Sequence, residues 1–185
     1  ITWEQGGHSI VYPLSPKVTH VDWGILFYRQ YQYGLFKRMF MQWKMEKEFF
    51  KKLSNFVHTT QADIVIGASC EFTTMAGMDL LQRKTHTILE THSMRTSIEK
   101  NNPPAGNLLM RWAFKRRDKQ LHQYIKHMSA FVTLTHNDAK DWSDITPQAR
   151  IIPNMLHRYP AEISPDKKTQ KRIITAGRLV EQKGY

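Results

Sequence analysis

The feature that most constrains the fold is a series of short, apolar, β-branched segments separated by stretches typical of helices. The sequence predicts strands at Ala62–Gly67, Thr87–Glu90, Ala130–Leu134 and Arg150–Asn154. Almost uniformly apolar runs of this length are typical of parallel strands buried on both faces. Their alternation with helices predicts an α/β fold, in which a Rossmann-like parallel sheet has right-handed crossovers and helices on both faces.

Helix formers dominate the sequence before and between these strands. The predicted helices are Leu35–His58, Thr73–Arg83, Gly106–Met128 and a short helix that Asn137 caps and that runs through Trp142. In the first helix the spacing of the large side chains predicts one apolar stripe, with lysines on its flanks. The stripe consists of Phe36, Met39, Phe40, Trp43, Phe50, Leu53 and Phe56.

The composition changes near the C-terminus. Residues 157–170 are polar, lysine-rich and contain prolines, which is typical of a linker, and a further strand is predicted at Arg172–Thr175. The sequence therefore predicts a Rossmann-like domain over residues 1–156, a linker over 157–170 and the start of a second domain over 171–185. Because the first residues resemble the end of a strand and the chain stops soon after a new one, we expect truncation at both ends.

Charge and cysteine content restrict the class of protein. The 27 Lys and Arg outnumber the 16 Asp and Glu, which gives a net charge of +11 and favours polyanionic partners such as anionic lipids, phosphorylated ligands or nucleic acid. The single cysteine, Cys70, excludes an internal disulfide and suits a reducing compartment. No run of 18 apolar residues exists that predicts a membrane span. We therefore expect a cytoplasmic protein.

Polar side chains follow three of the predicted strands, where ligands gather in open α/β sheets. These positions hold Ser69 and Glu71, His92, and His136. A histidine directly after a buried strand can donate to a substrate hydroxyl or stabilise developing charge. The alternative is that each histidine only satisfies a loop carbonyl, and position alone does not decide between them.

Two cations follow the last predicted strand. Arg178 and Lys183 lie on a strand–turn segment that normally leads into a helix. Such a segment suits a diphosphate, because side-chain charge and the N–H groups of a helix N-terminus act together there. A solvated surface turn is the alternative.

Several of these segments, taken in order, carry a resemblance to a known family. They read ADIVIG (62–67), LETH (89–92), FVTLTHND (131–138), IIPN (151–154) and AGRLVEQKG (176–184). This succession resembles glycosyltransferase family 4, the retaining GT-B enzymes, and within it bacterial transferases that build surface polysaccharides.

The resemblance implies a role for each candidate residue. Arg178 and Lys183 match the pair that contacts the diphosphate of a nucleotide-sugar donor, and they offset leaving-group charge without a metal ion. His92 matches the active-site histidine that faces the transferred sugar, while Ser69 and Glu71 are acceptor-side candidates. The implied reaction moves a hexose-type sugar to a saccharide or lipid-linked acceptor in polysaccharide or lipopolysaccharide biosynthesis. It implies no cofactor and no metal.

The chain also departs from the family pattern. The family's first strand, its glycine-rich loop and most of its donor-binding domain are missing from these 185 residues. We therefore expect no sugar transfer by this chain alone. The basic helices predict a peripheral contact with the anionic inner face of a membrane, and no nucleic acid is expected. The alternative is a non-catalytic α/β binding protein for a sugar, a nucleotide or nucleic acid.

Overall fold

The computed structural model describes residues 1–155 except Ser69, Arg83, Met94 and 99–107. The chain divides after Pro153 into two units, Ile1–Pro153 and Asn154–Tyr185. The predicted linker and the predicted start of a second domain lie outside the described residues, so that assignment stays a prediction.

Four parallel strands form one sheet in the order in which they occur in the chain. They are β1 (Ile64–Gly67), β2 (His86–Glu90), β3 (Ala130–Thr133) and β4 (Arg150–Ile151). The register is continuous, since Gly67 pairs with Leu89 and Leu89 pairs with Phe131. The predicted α/β fold class with a parallel sheet is confirmed.

Helices precede and connect the strands. A 3₁₀ helix at Phe27–Gln32 is followed by α1 (Leu35–Thr60), α2 (Phe72–Asp79), α3 (Arg95–Ile98), α4 (Leu108–His127) and α5 (His136–Asp141). The predicted helices therefore form within a few residues of their expected bounds. None of the helices in the described ranges is both long enough and apolar enough to cross a bilayer.

The described helices cover one face of the sheet. Leu89 and Phe131 point to this face and share a buried core with side chains of α2, α4 and the segment that follows α5, namely Met75, Met78, Leu121, Ile125, Trp142 and Ile145. Sequential parallel strands joined by right-handed crossovers place their helices on the same side. On the opposite face, Ile64 and Ile66 are exposed. The helices expected on that second face are not found within the described ranges.

Only the C-terminal half of α1 is packed into the fold. Phe49, Leu53 and Val57 are buried, and with Leu81 and Ile25 they form a second apolar cluster. The reason is length: α1 has 26 residues and spans about 39 Å, whereas the four-residue strand β1 spans about 13 Å. The first half of α1 therefore extends past the end of the strand that it precedes.

The predicted apolar stripe of α1 is consequently buried only in its second half. Phe36, Met39, Phe40 and Trp43 are all exposed. The stripe was predicted from the types of the residues alone. Burial depends instead on which half of the helix packs against other elements.

The cap of α5 also differs from the prediction. Thr135, not Asn137, is the N-cap, and its side chain accepts a hydrogen bond from the backbone N–H of Asp138 at 3.1 Å. The Thr135 hydroxyl also donates to the Asp138 carboxylate at 2.7 Å. This reciprocal pair is a capping arrangement at the N-terminus of a helix.

Candidate functional site

The carboxyl ends of the parallel strands meet at one edge of the sheet. Glu71 follows β1, His92 follows β2, and His136 follows β3, where it is the first residue of α5. Because the strands are parallel and in continuous register, all three segments leave the sheet in the same direction. This edge is where open α/β sheets place their ligands.

Glu71 is the N-cap residue of α2, and its own side chain makes no capping hydrogen bond to this helix end. The first amide groups of a helix have no partner within the helix. The N–H groups of Phe72, Thr73 and Thr74 therefore point out of the start of α2. The helix dipole adds partial positive charge at the same position.

A cleft of about 760 Å³ opens beside this helix end. Its walls come from the segment before α1, from the inner side of α1, from the start of α2 and from α4. Its polar residues include Glu4, Arg38, Gln42, Glu46, Glu71 and Arg117. Its aromatic residues include Trp3, Phe27, Tyr28, Tyr31 and Phe72. Such a mixture of aromatic surface and convergent polar groups is typical of sites for small ligands.

Hydrogen bonds orient the carboxylate of Glu46 within the cleft. The Thr73 hydroxyl donates to Glu46 Oε1 at 3.1 Å, and the side-chain amide of Gln42 donates to the same oxygen. The carboxylate keeps further acceptor capacity, because an ionised carboxylate offers about four lone-pair positions. Glu46 is thus a positioned acceptor on the α1 wall.

Both arginines of the cleft stack on aromatic rings. The Arg117 guanidinium lies 5.4 Å from the ring centroid of Phe72, and the Arg38 guanidinium lies 4.2 Å from that of Tyr31. Stacking fixes the plane of each guanidinium and leaves its edge as a donor. The cleft therefore offers donors on two walls and acceptors between them.

Two more hydroxyl groups belong to the surroundings of the cleft. Thr74 lines it and is 5% exposed, yet its Oγ1 atom has no hydrogen-bond partner among the described residues. Such an unsatisfied buried hydroxyl is costly unless another group bonds to it. Burial, together with the carboxylates of Asp79 and Glu46, raises the pKa of Tyr124, whose ring lies 5.6 Å from that of Phe72. Its phenol therefore stays protonated at neutral pH.

His92 lies at the same edge of the sheet but outside the lining of this cleft. Its side chain is 45% exposed, and its Nε2 atom is 3.7 Å from Glu90 Oε2. The carboxylate of Glu90, at the end of β2, is therefore the polar group beside this ring. His136 is also exposed. The structure thus places Glu71 in the cleft and His92 beside it.

Three predicted site residues, Ser69, Arg178 and Lys183, lie outside the described residues. Sequence reasoning missed Glu46, Thr74 and Arg117, which come from three different helices. Only Glu46 had a signal in the sequence. Arg38, Gln42 and Glu46 are polar residues spaced four apart, which places them along one side of α1.

Within the part of the chain that the structure describes, no group of three or more His, Cys, Asp or Glu is arranged to hold a metal ion. Comparison of the chain with protein-family models, with curated proteins and with solved structures found no match.

Proposed function

We propose that this chain is the acceptor-side lobe of a retaining glycosyltransferase and that its cleft holds the saccharide part of the acceptor. The observation that carries the proposal is the cleft at the carboxyl edge of the sheet, where Glu46, Glu71 and the N-terminus of α2 converge. Its volume of about 760 Å³ suits a ligand of one or two sugar rings.

The chemistry of the walls supports a neutral, polyhydroxylated ligand. Sugar hydroxyls donate to carboxylates such as Glu46 and accept from backbone N–H groups and from guanidinium edges. The apolar faces of sugar rings pack on aromatic side chains such as Trp3 and Tyr28, which line the cleft. The mixed charge of the cleft favours this ligand over a polyanion, because Glu4, Glu46 and Glu71 outnumber Arg38 and Arg117.

Under this proposal the remaining predicted residues act on the donor. His92 faces the transferred sugar, and Arg178 and Lys183 offset the charge of the leaving nucleoside diphosphate. The donor is a nucleotide-sugar, and the acceptor is a saccharide that is free or lipid-linked. The corresponding location is the cytoplasmic side of a membrane, with the protein bound peripherally.

Glu71→Gln tests the proposal because it keeps the shape of the side chain and removes its charge. We expect the wild-type chain to bind one or more of a panel of neutral oligosaccharides in calorimetry. The exchange should weaken that binding about tenfold, since hydrogen bonds to charged groups contribute about 1.5–3 kcal/mol. Glu48→Gln is the matched control. Glu48 is exposed and lies away from the cleft, and its Oε1 atom is 2.8 Å from the Nζ atom of Lys52.

If Glu71→Gln and Glu48→Gln weaken saccharide binding equally, the ligand lies outside the cleft. Binding of none of the panel would remove the acceptor-site proposal.

A further inference from the structure

The side of α1 that faces away from the fold carries aromatic and basic residues together. Phe36, Phe40 and Trp43 repeat at intervals of four and three residues, with Lys44 and Lys47 beside them. We call these five residues the basic aromatic stripe. Phe36 is 86% exposed and Trp43 is 50% exposed, and the stripe points away from the buried side that Phe49 and Leu53 mark.

Cations dominate the stripe and the segment before it, while Glu46 lines the cleft and Glu48 pairs with Lys52. Residues 23–45 contain four Lys and Arg and no Asp or Glu. Lys47 also lies over the ring of Trp43, with its Nζ atom 3.8 Å from the ring centroid. Two copies of this surface would bring like charges together, so an anionic partner fits it better than a second copy of the chain.

The first half of α4 repeats the same combination. Trp112 is 59% exposed, the Arg116 guanidinium lies 5.5 Å from its ring centroid, and Lys115 and Lys119 are exposed nearby. These side chains lie on the side of α4 opposite to the buried Leu121. A tryptophan among cations therefore recurs on a second helix.

Both half-helices extend toward the same edge of the sheet. The C-terminus of α1 leads into β1 and that of α4 leads into β3, so the N-terminal half of each helix lies toward the carboxyl ends of the parallel strands. Arg38 of α1 and Arg117 of α4 line the same cleft. The two exposed surfaces therefore lie on helix halves that extend toward the same edge of the sheet as the cleft.

We infer that the basic aromatic stripe of α1 is a membrane-docking surface for an anionic bilayer, and that the Trp112 region of α4 is a second contact of the same kind. The aromatic rings insert at the level of the lipid headgroups, and the lysines pair with anionic headgroups around them. Large apolar rings among the cations fit a headgroup layer better than a duplex groove, which is read mainly by polar side chains, so lipid is the partner that we assign. This inference stands on the surface residues and does not depend on the proposed sugar transfer.

Vesicle flotation of the whole chain tests the surface. The wild type should bind phosphatidylcholine vesicles that contain about 30% phosphatidylglycerol and should not bind phosphatidylcholine alone, because each cation contributes about a fivefold gain near an anionic surface. Lys44→Gln with Lys47→Gln should therefore weaken binding about 25-fold. The matched control is Lys84→Gln with Lys126→Gln, which removes two exposed lysines at the opposite edge of the sheet and should change binding at most slightly.

Insertion of the rings is tested separately from charge. Phe40→Ala with Trp43→Ala should weaken binding at least tenfold, since a buried aromatic side chain contributes about 1.5–3 kcal/mol. Tyr12→Ala, which removes an exposed ring on the N-terminal segment, is the control. On binding, the fluorescence emission of Trp43 should shift to the blue and be quenched by brominated lipids. Trp43→Phe should remove the Trp43 contribution to the shift and to the quenching.

Three results would overturn the inference. The first is equal binding by the stripe variants and their controls. The second is vesicle binding without quenching of Trp43, which would reduce the contact to electrostatic adsorption. The third is failure to bind the anionic vesicles, whether the chain then binds single-stranded DNA, dimerises through the stripe or does neither.

Discussion

Two phenylalanines of the same helix should respond oppositely to truncation. Phe49 is 2% exposed and makes edge-on contacts with the rings of Trp3, Trp23, Phe27 and Phe50, at centroid distances of 5.2, 5.7, 6.4 and 5.8 Å. Phe36, thirteen residues earlier, is 86% exposed. Phe49→Ala and Phe36→Ala therefore remove the same atoms from the same helix in different surroundings.

The expected costs differ by several kcal/mol. Removal of a buried Phe side chain costs about 3–5 kcal/mol of unfolding free energy, whereas an exposed substitution stays within about 0.5 kcal/mol. Alanine improves helix propensity by a similar, small amount at both sites, so that contribution cancels in the comparison. For a chain of 185 residues the difference corresponds to a Tm that is lower by about 10 °C for Phe49→Ala.

Urea unfolding followed by circular dichroism measures both variants. An unchanged m-value would show that each shift in midpoint reports stability and not a change in the unfolded state. Phe49→Leu, a milder change, serves if Phe49→Ala does not fold. Equal losses from Phe49→Ala and Phe36→Ala would refute the claim that only the second half of α1 is packed, and with it the exposed stripe.

Further predictions concern the cap of α5, the single cysteine and one close helix contact. Thr135→Ala should cost about 1 kcal/mol of unfolding free energy through loss of the N-cap, while Asn137→Ala should cost less than about 0.5 kcal/mol; the reverse order would restore the sequence-based cap. Burial raises the pKa of the Cys70 thiol, so alkylation at pH 8 should be much slower in the folded chain than in urea, and equal rates would contradict that burial. Gly77→Ala should lower the free energy of unfolding by about 1–2 kcal/mol, although alanine has the better helix propensity, because the added Cβ would lie 2.8 Å from the Phe49 ring. A gain in Tm would show that α1 and α2 can separate at low cost.

The sheet could be predicted from the sequence because its strands are short, apolar and β-branched. Runs such as Ile64–Gly67 combine a local preference for strand with the continuous apolar character typical of parallel sheets, and both properties are visible in the sequence. The long helix at Leu35–Thr60 was equally clear from the absence of proline and glycine. Which half of it is buried was not predictable, since that depends on how far the helix extends past β1.

The candidate site was predictable only in part. Glu71 was found because strand ends are a general position for ligand-binding residues. Glu46 and Arg117 are separated from it by 25 and 46 positions along the chain, and only the packing of α1, α2 and α4 brings them to one cleft. No local pattern in the sequence predicts such a combination, because each side chain comes from a different helix and no fixed spacing along the chain links them.

The central claim is that the cleft beside the N-terminus of α2 binds a saccharide, and NMR mapping on ¹⁵N-labelled chain tests it most directly. Addition of a neutral oligosaccharide from the panel should shift the backbone amide signals of Phe72, Thr73 and Thr74 and the indole signal of Trp3, which lines the same cleft. The amide signals of residues 84–86, at the opposite edge of the sheet, should stay in place. Shifts confined to that opposite edge, or no shifts at Phe72–Thr74 at saturating saccharide, would contradict the account.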